Sequence, residues 1–369
     1  MSPTILLFRD LGQFLRQSRL NVLLIFVPIS LILELAHAWE VWVFAAAALA
    51  IVPLAGLIGQ ATEEIAEHTG PGLGGFLNAT FGNATELIIA FFAVREGLYE
   101  VVKASITGSI LGNMLLVLGL SMLAGGWKRE KQTFNRVTAG ASSAMLMLAV
   151  TALVMPAVWD LVVTGSLTQH NDTVNTLSLL TVFVLLATYG ASLMFSLVTH
   201  RELFAAVGHE LAHKPKNGLS VAIVVLSVAT AFTALEAEFL VGTINVVGAA
   251  LGLTELFIGI IIVAVVGNAA EHMSAIVMAR KGNMDLAFQI AIGSSTQIAL
   301  LVAPVLVLVS FLFGSPMDLL FNPFEIVALG LAVLSVAMVS LDGESNWFEG
   351  VQLVAVYLVL ALAFYFVPA

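Results

Sequence analysis

The stretch Gly82-Asn83-Ala84-Thr85-Glu86 lies inside a long apolar segment, and a near copy, Gly267-Asn268-Ala269-Ala270-Glu271, lies in an apolar segment of the other half of the chain. The two stretches, GNATE and GNAAE, agree at four of five positions. A glutamate in the interior of a membrane span is energetically expensive, and such residues are typical of ion and proton pathways. The repeated motif therefore indicates an internal repeat whose halves share one site.

The composition predicts an integral membrane protein. Of the 369 residues, 60% are hydrophobic and only 10% are charged. The apolar runs are continuous rather than alternating, which predicts an all-α polytopic protein in the lipid bilayer rather than a β-barrel. The chain has no cysteine, so it forms no disulfide, and its net charge of −10 argues against a nucleic-acid partner. Arg9, Arg16 and Arg19 precede the first span, and we expect no cleavable signal peptide.

Hydropathy predicts about eleven transmembrane helices, arranged as two inverted-topology repeats of five helices after a first extra helix. The predicted domains are an N-terminal arm with the first helix (1–40), a first repeat with GNATE (41–199), a cytosolic connector (200–218) and a second repeat with GNAAE (219–369). The predicted spans are 21–38, 41–65, 76–95, 103–124, 137–156, 174–199, 219–242, 254–279, 284–312, 323–341 and 348–367. The Gly- and Pro-rich stretch 70–75 predicts a helix break.

The positions of Lys and Arg predict the orientation. With the N-terminus in the cytosol and eleven spans, every Lys and Arg except Arg95 and Lys103 falls inside, and the C-terminus lies outside. GNATE and GNAAE then cross the membrane in opposite directions, which is the topology that places two half-sites face to face near the midplane.

Oxygen atoms dominate the ligands that the two motifs offer. Asn83 and Asn268 supply amide oxygens, Glu86 and Glu271 supply carboxylates, and a loosened turn at Gly82 or Gly267 exposes backbone carbonyls. Hard cations such as Ca²⁺ bind such a set, whereas selectivity among Ca²⁺, Mn²⁺ and Sr²⁺ stays open. Two carboxylates in an empty low-dielectric site repel each other and favour protonation, so we expect them to bind either the cation or protons.

The paired motifs, extended to His272 and combined with Gly108-Ser109 and Gly293-Ser294, resemble the Ca²⁺/H⁺ antiporter (cation/proton exchanger) family of the cation/Ca²⁺ exchanger superfamily. The resemblance covers roughly 41–125 and 219–312. It implies a secondary active transporter, not an enzyme, that exchanges cytosolic Ca²⁺ for H⁺ by alternating access. It also implies a Ca²⁺ site made by Glu86 and Glu271 with carbonyls near Gly82 and Gly267, no cofactor, and a path lined by Asn83, Asn268, Asn113 and Gln297.

The vacuolar members of the resembling family have an acidic segment between their two halves. The connector of this chain, from His200 to Lys216, has a mixed composition instead. This difference favours a location in a prokaryotic plasma membrane. A second copy of the chain is a further candidate partner, since the predicted fifth, sixth, tenth and eleventh spans could meet either lipid or another protomer.

Several polar residues keep two interpretations each. Four acidic residues either form an acidic vestibule that feeds the site or lie at helix ends that reach water. They are Glu63, Glu64, Glu236 and Glu238. His272 either joins the proton path or hydrogen-bonds a neighbour. Asn113 and Gln297 line the path or link helices by hydrogen bonds. For Ser109, Ser294 and Ser295, close packing is the first role expected, with the ion pathway as the second.

Three other functions remain open from the residues alone. His209-Glu210-Leu211-Ala212-His213 matches the H-E-x-x-H signature of zinc proteases, although no third ligand is evident. A passive cation channel and a Na⁺-coupled cation exchanger would use the same buried glutamates. A measurement of proton counter-transport distinguishes a proton-coupled exchanger from these alternatives.

Overall fold

A computed structural model describes residues 18–165, 172–200, 217–314 and 316–368, and most of these residues are helical. A 3₁₀ segment, Arg19–Ile25, precedes the first α-helix. The helices in chain order are α1 (Phe26–Leu35), α2 (Glu40–Thr69), α3 (Pro71–Phe81), α4 (Ala84–Arg95), α5 (Tyr99–Gly126), α6 (Arg136–Thr164), α7 (Asp172–Thr199), α8 (Leu219–Gly242), α9 (Ile244–Leu251), α10 (Glu255–Gly267), α11 (Ala269–Arg280), α12 (Met284–Phe313), α13 (Pro323–Val339) and α14 (Trp347–Tyr365).

Seven of the described helices are long and apolar enough to cross a membrane. They are α2, α5, α6, α7, α8, α12 and α14. An eighth span results if α9 and α10 form one broken span, and α13 is a shorter apolar helix. The predicted all-helical polytopic class is therefore confirmed.

Both glutamate motifs interrupt a helix at the same place. Gly82 and Asn83 form a turn between α3 and α4, and Asn268 forms a turn between α10 and α11. The predicted continuous spans 76–95 and 254–279 are therefore wrong in this detail. Glycine weakens a helix, and an asparagine side chain competes for backbone hydrogen bonds, so the two together end it.

The motif glutamates follow directly after these turns. Glu86 lies in the first turn of α4, and Glu271 lies in the first turn of α11. The unpaired N–H groups of a first helical turn favour negative charge. The breaks thus give each carboxylate a favourable position inside an otherwise apolar segment.

The break predicted for 70–75 is confined to one residue. Gly70 has a φ of 85° and a ψ of 173°, a positive-φ extended conformation that is open almost only to glycine, and it ends α2. Pro71 then starts α3 at once, because its fixed φ suits the first helical turn. Gly74 lies inside α3, where an added Cβ would collide with the Ala66 carbonyl. Glycine therefore allows the start of α3 to turn back against the end of α2.

Four of the described helices contain π-helical segments, in which each turn holds an extra residue. The segments are Gly112–Val117 in α5, Phe195–Thr199 in α7, Ile258–Val263 in α10 and Ile298–Val302 in α12. In α5 and α12 the segment follows shortly after the Gly-Ser pairs at 108–109 and 293–294. The same local pattern thus occurs in both halves of the chain.

The chain forms two compact units. The first contains the described residues of Met1–Phe92, Leu193–Gly252 and Val266–Ala270. Its core joins α2 and α8, where Leu54, Leu57, Ile58 and Ala61 meet Val221, Val225 and Ala229. Burial of these side chains holds the two long helices together through the hydrophobic effect and dispersion.

The second unit contains the described residues of Ala93–Ser192, Leu253–Val265 and Glu271–Ala369. Inside it, glycines allow helices to approach closely. A Cβ on Gly108 of α5 would collide with the carbonyl oxygen of Ile260 in α10, and Gly119 of α5 lies against Gly350 of α14. A short antiparallel ribbon pairs β1 (Gln132–Thr133) with β2 (Glu344–Ser345).

A buried ion pair also holds the second unit together. Lys103 is 3% exposed, and its Nζ lies 2.7 Å from Glu100 Oε1 and 3.5 Å from Asp318 Oδ1. The same Nζ donates a hydrogen bond of 2.9 Å to the Leu320 carbonyl. The predicted span 103–124 therefore begins too late, because α5 begins at Tyr99 and Lys103 lies inside it.

We expect Lys103→Met to destabilise the protein by about 3–5 kcal/mol, because it removes the positive charge beside a buried carboxylate. Thermal unfolding of the purified protein in detergent measures this loss. Lys131→Met is the matched control, since Lys131 forms an exposed pair with Glu344 at 2.7 Å, and the hydrogen bond and charge of Glu344 raise the pKa of Lys131. Exposed pairs contribute little, so the control should keep the wild-type midpoint. Equal midpoints for both variants would contradict the proposed weight of the buried pair.

Candidate functional site

In the first unit, the glutamate of one motif lies against the glycine of the other. A Cβ added to Gly267 would stand 3.3 Å from Glu86 Cγ and 3.8 Å from both Glu86 Cδ and Oε1. Both carboxylate oxygens of Glu86 are buried. Glycine at 267 therefore leaves room for the Glu86 side chain, and the two motifs, far apart in sequence, adjoin in the fold.

The two motif asparagines are deeply buried in the same unit. Asn83 is 1% exposed and Asn268 is 0% exposed. Each occupies the turn between two helices, where backbone carbonyls lose their helical partners. Gly82, beside Asn83, is half-buried. Amide and carbonyl oxygens are thus concentrated at the breaks that the sequence predicts as the site.

In the second unit, Glu271 belongs to a polar cluster with Ser294 and Asn113. The Ser294 side chain hydrogen-bonds the Glu271 carboxylate, and Asn113 Nδ2 donates to Ser294 Oγ at 3.1 Å. Glu271 Oε2 is buried and has no hydrogen-bond partner among the described residues. Three residues that the sequence names separately are therefore one connected group, and it includes an oxygen available to a ligand.

The remaining predicted pathway residues take different positions. Ser109 and Ser295 are buried, and the Ser295 hydroxyl donates to the Ala291 carbonyl of its own helix at 2.9 Å. This bond agrees with the packing role first expected for Ser295. Gln297 is half-buried at the end of the α-helical part of α12. His272 is buried, and its Nε2 has no hydrogen-bond partner in the described part of the chain.

The four other acidic residues divide into two classes. Glu63 and Glu238 are exposed, whereas Glu64 and Glu236 are buried. Glu64 accepts hydrogen bonds from the backbone N–H of Asn217 at 2.7 Å and from Asn217 Nδ2 at 3.3 Å. Glu64 therefore holds Asn217 in place shortly before the start of α8. The sequence did not indicate this role. The pathway role of these carboxylates stays a prediction.

Within the described ranges, no three side chains of the His, Cys, Asp and Glu types come together as a metal cluster. The H-E-x-x-H motif of His209, Glu210 and His213 lies outside the described residues, as does most of the predicted connector.

Two buried polar contacts were not predicted from the sequence. Ser30 of α1 hydrogen-bonds Glu236 of α8, and Lys103 binds Asp318, which lies 215 positions later. A serine in an apolar helix gives little signal by itself. For Lys103 the signal was present, since a lysine directly after Val101 and Val102 is unusual in an apolar helix that extends further.

Comparison with known proteins identifies the family. The description "Sodium/calcium exchanger protein" matches residues 39–198 and 221–366, which is most of the chain. The chain belongs to the sodium/calcium exchanger family. The family resemblance inferred from the paired motifs is thus confirmed, and membership of a transporter family sets aside the zinc-protease alternative.

Similarity within this exchanger family extends over nearly the whole chain. The Ca(2+)/H(+) antiporter of Aphanothece halophytica is 45% identical over 360 residues, which cover 94% of this chain and 96% of the relative. The Ca(2+)/H(+) antiporter ChaA of Bacillus subtilis is 46% identical over 343 residues, covering 92% and 96%. The structure of native YfkE matches with a TM-score of 0.82 at 42% identity, covering 94% of this chain and 100% of that one.

Proposed function

We propose that this protein exchanges cytosolic Ca²⁺ for H⁺ by alternating access. The observation that carries the proposal is the 45% identity, over nearly the full length, to a relative named as a Ca²⁺/H⁺ antiporter. The buried carboxylate oxygens of both motifs support it independently, because a secondary transporter needs groups that bind either the cation or protons. Ca²⁺ and H⁺ are the transported substrates, and no cofactor is required.

Glu86 and Glu271 provide the exchanging carboxylates in this proposal. Asn83, Asn268 and the carbonyls near Gly82 and Gly267 complete an oxygen cage for Ca²⁺. The contact of Glu86 with Gly267 supports a shared site, since it brings the first motif against the second. When Ca²⁺ leaves, two carboxylates in a low-dielectric environment take up protons, which couples the two fluxes.

The polar residues around the motifs form the path to this site. The hydrogen bonds that join Asn113, Ser294 and Glu271 support this role for the first two. The other proposed pathway residues are Gln297, Ser109, Ser295, His272, Glu63, Glu64, Glu236 and Glu238.

The proposed architecture is two inverted repeats of five helices after one extra helix, about eleven in total. The matching local features support the repeat, because each half has a helix break at its glutamate motif and a π-helical segment after its Gly-Ser pair. We place the N-terminus in the cytosol and the C-terminus outside, as the distribution of Lys and Arg predicts. Bacterial relatives support a prokaryotic plasma membrane. A homo-oligomer would bury some of the exposed apolar faces.

Reconstituted vesicles with an imposed pH gradient test the proposal directly. We expect Ca²⁺ to accumulate in vesicles that are acidic inside, while a pH-sensitive dye records proton efflux at the same time. A protonophore should collapse both signals. Vesicles without protein are the control for leak.

A Na⁺ gradient in the same vesicles tests the second candidate, which the family description itself favours. Ca²⁺ uptake that follows the Na⁺ gradient and ignores the pH gradient would replace H⁺ by Na⁺ as the coupling ion. Ca²⁺ flux that needs neither gradient and moves no proton would indicate a channel.

A further inference from the structure

The first unit contains a buried carboxylate far from the motifs in sequence. Glu236 of α8 is 0% exposed, and the facing residue, Ser30 of α1, is also 0% exposed. Ser30 Oγ lies 2.7 Å from Glu236 Oε1. Glu236 Oε2 is buried and has no hydrogen-bond partner among the described residues. The carboxyl group therefore depends on one hydroxyl for its polar contacts in the described part of the chain.

The Ser30 hydroxyl has a second neighbour that also requires a hydrogen. Its Oγ lies 2.8 Å from the carbonyl oxygen of Val27, one turn earlier in α1. A hydroxyl carries a single hydrogen, and both a carbonyl and a carboxylate are acceptors only. With an ionised Glu236, one of these two short oxygen–oxygen contacts would hold no hydrogen and would be repulsive.

A proton on Glu236 removes this conflict. The acid then donates from Oε1 to Ser30 Oγ, and Ser30 donates to the Val27 carbonyl, so each of the three oxygens has a suitable partner. The unpartnered Oε2 becomes the carbonyl oxygen of a neutral acid. Burying a neutral group without a partner costs far less than burying an ionised one.

We propose that Glu236 is a proton-binding residue separate from the two glutamate motifs, protonated in this conformation, and that its proton links α8 to α1. The proposal rests on contacts inside the first unit and does not depend on the proposed exchange of Ca²⁺ for H⁺. Loss of the proton leaves a buried anion against Ser30 and favours separation of α1 from α8 or entry of water between them.

The charged groups on the surrounding elements leave this assignment intact. α8 contacts α2, α1 and α9. The helix α9 has no titratable residue, and the N-terminal half of α2 from Val43 to Ala50 is apolar. Glu238, on α8 itself, is exposed, as is Glu34 of α1. The titratable residues of α2 are Glu40, Glu63, Glu64, Glu67 and His68. Glu64 is bonded to Asn217, which precedes the opposite end of α8 from Glu236.

Infrared difference spectroscopy on the full-length protein in lipid nanodiscs tests the proposal. At mildly acidic pH, we expect wild type minus Glu236→Gln to show the C=O band of one protonated carboxylic acid. The side-chain N–H of glutamine can donate to Ser30 Oγ as the protonated acid does, so this variant should fold. Glu238→Gln, two residues away and exposed, is the matched control, and its difference spectrum should lack that acid band. A Glu236 difference spectrum with carboxylate bands and no acid band would overturn the proposal.

Thermal unfolding as a function of pH provides a second readout. Because the proton stabilises the folded state, its contribution is complete at low pH and is lost as the pH rises and the proton leaves. The midpoint of the wild-type protein should therefore fall relative to that of Glu236→Gln as the pH rises from acidic values to neutral, and the two midpoints should lie closest at the acidic end. Parallel pH profiles for the two proteins would contradict a stabilising proton at this position.

Discussion

Ca²⁺ uptake by vesicles that contain Glu271→Gln is expected to fall to the background of protein-free vesicles, and Glu86→Gln should have the same effect. In the proposed site, glutamine keeps the size of the side chain but removes the charge that would balance Ca²⁺ and the group that would take up the proton. Removal of one partner of a buried charge interaction costs about 3–5 kcal/mol, which corresponds to a loss of roughly 100-fold or more. The initial rate of Ca²⁺ uptake under a pH gradient measures this loss of transport.

Glu255→Gln is the matched control for this experiment. Glu255 also lies in the first turn of a helix, α10, but it is exposed. We expect the initial rate of Ca²⁺ uptake by the Glu255→Gln variant to stay near that of the wild type. Size-exclusion chromatography of all three variants separates loss of transport from loss of folding. Normal uptake by either motif variant would remove that glutamate from the proposed site and leave the family assignment in place.

Gly108→Ala is expected to destabilise the protein by about 3 kcal/mol, although it adds a single methyl group. The new Cβ would collide with the Ile260 backbone, including its carbonyl oxygen, and a backbone cannot move aside as a side-chain tip can. Overpacking of a close contact typically costs about 1–3 kcal/mol, and occasionally more. Thermal unfolding and the yield of folded protein from membranes measure the effect.

Gly112→Ala provides the comparison in the same helix. No atom lies within 4 Å of a Cβ added at Gly112. Alanine is a better helix former than glycine, so this variant should be as stable as the wild type or slightly more stable. If Gly108→Ala and Gly112→Ala had equal stability, the close approach of α5 to α10 would not be essential.

The sequence was sufficient to predict an all-helical polytopic membrane protein, because long apolar helices depend on local signals. Continuous apolar runs predicted the long helices, and the predicted spans 323–341 and 348–367 agree with α13 and α14 to within a few residues. The repeated GNATE and GNAAE stretches indicated the site because an apolar span tolerates few carboxylates. The comparisons confirmed the family that the motifs resemble, whereas the roles of the individual site residues stay predictions.

Contacts between distant segments could not be predicted from the sequence. Neither the hydrogen bond of Ser30 to Glu236 nor the ion pair of Lys103 with Asp318 follows from spacing, because each joins residues more than 200 positions apart. The same limit applies to Glu64, for which the sequence left open an acidic vestibule and a helix end that reaches water. Its carboxylate instead holds Asn217. Burial of a polar side chain depends on which helices meet, and that is a property of the tertiary structure.

The π-helical segments of α5 and α12 change which side chains share a face. An α-helix turns by about 100° per residue, so each residue accommodated in a wider turn shifts the following side chains by up to that angle. Residues before Gly112 and after Val117 therefore form two stripes that are out of phase, although one continuous helix carries both. A single helical wheel drawn for all of α5 superimposes side chains that point to different neighbours, and the same holds for α12 on either side of Ile298–Val302.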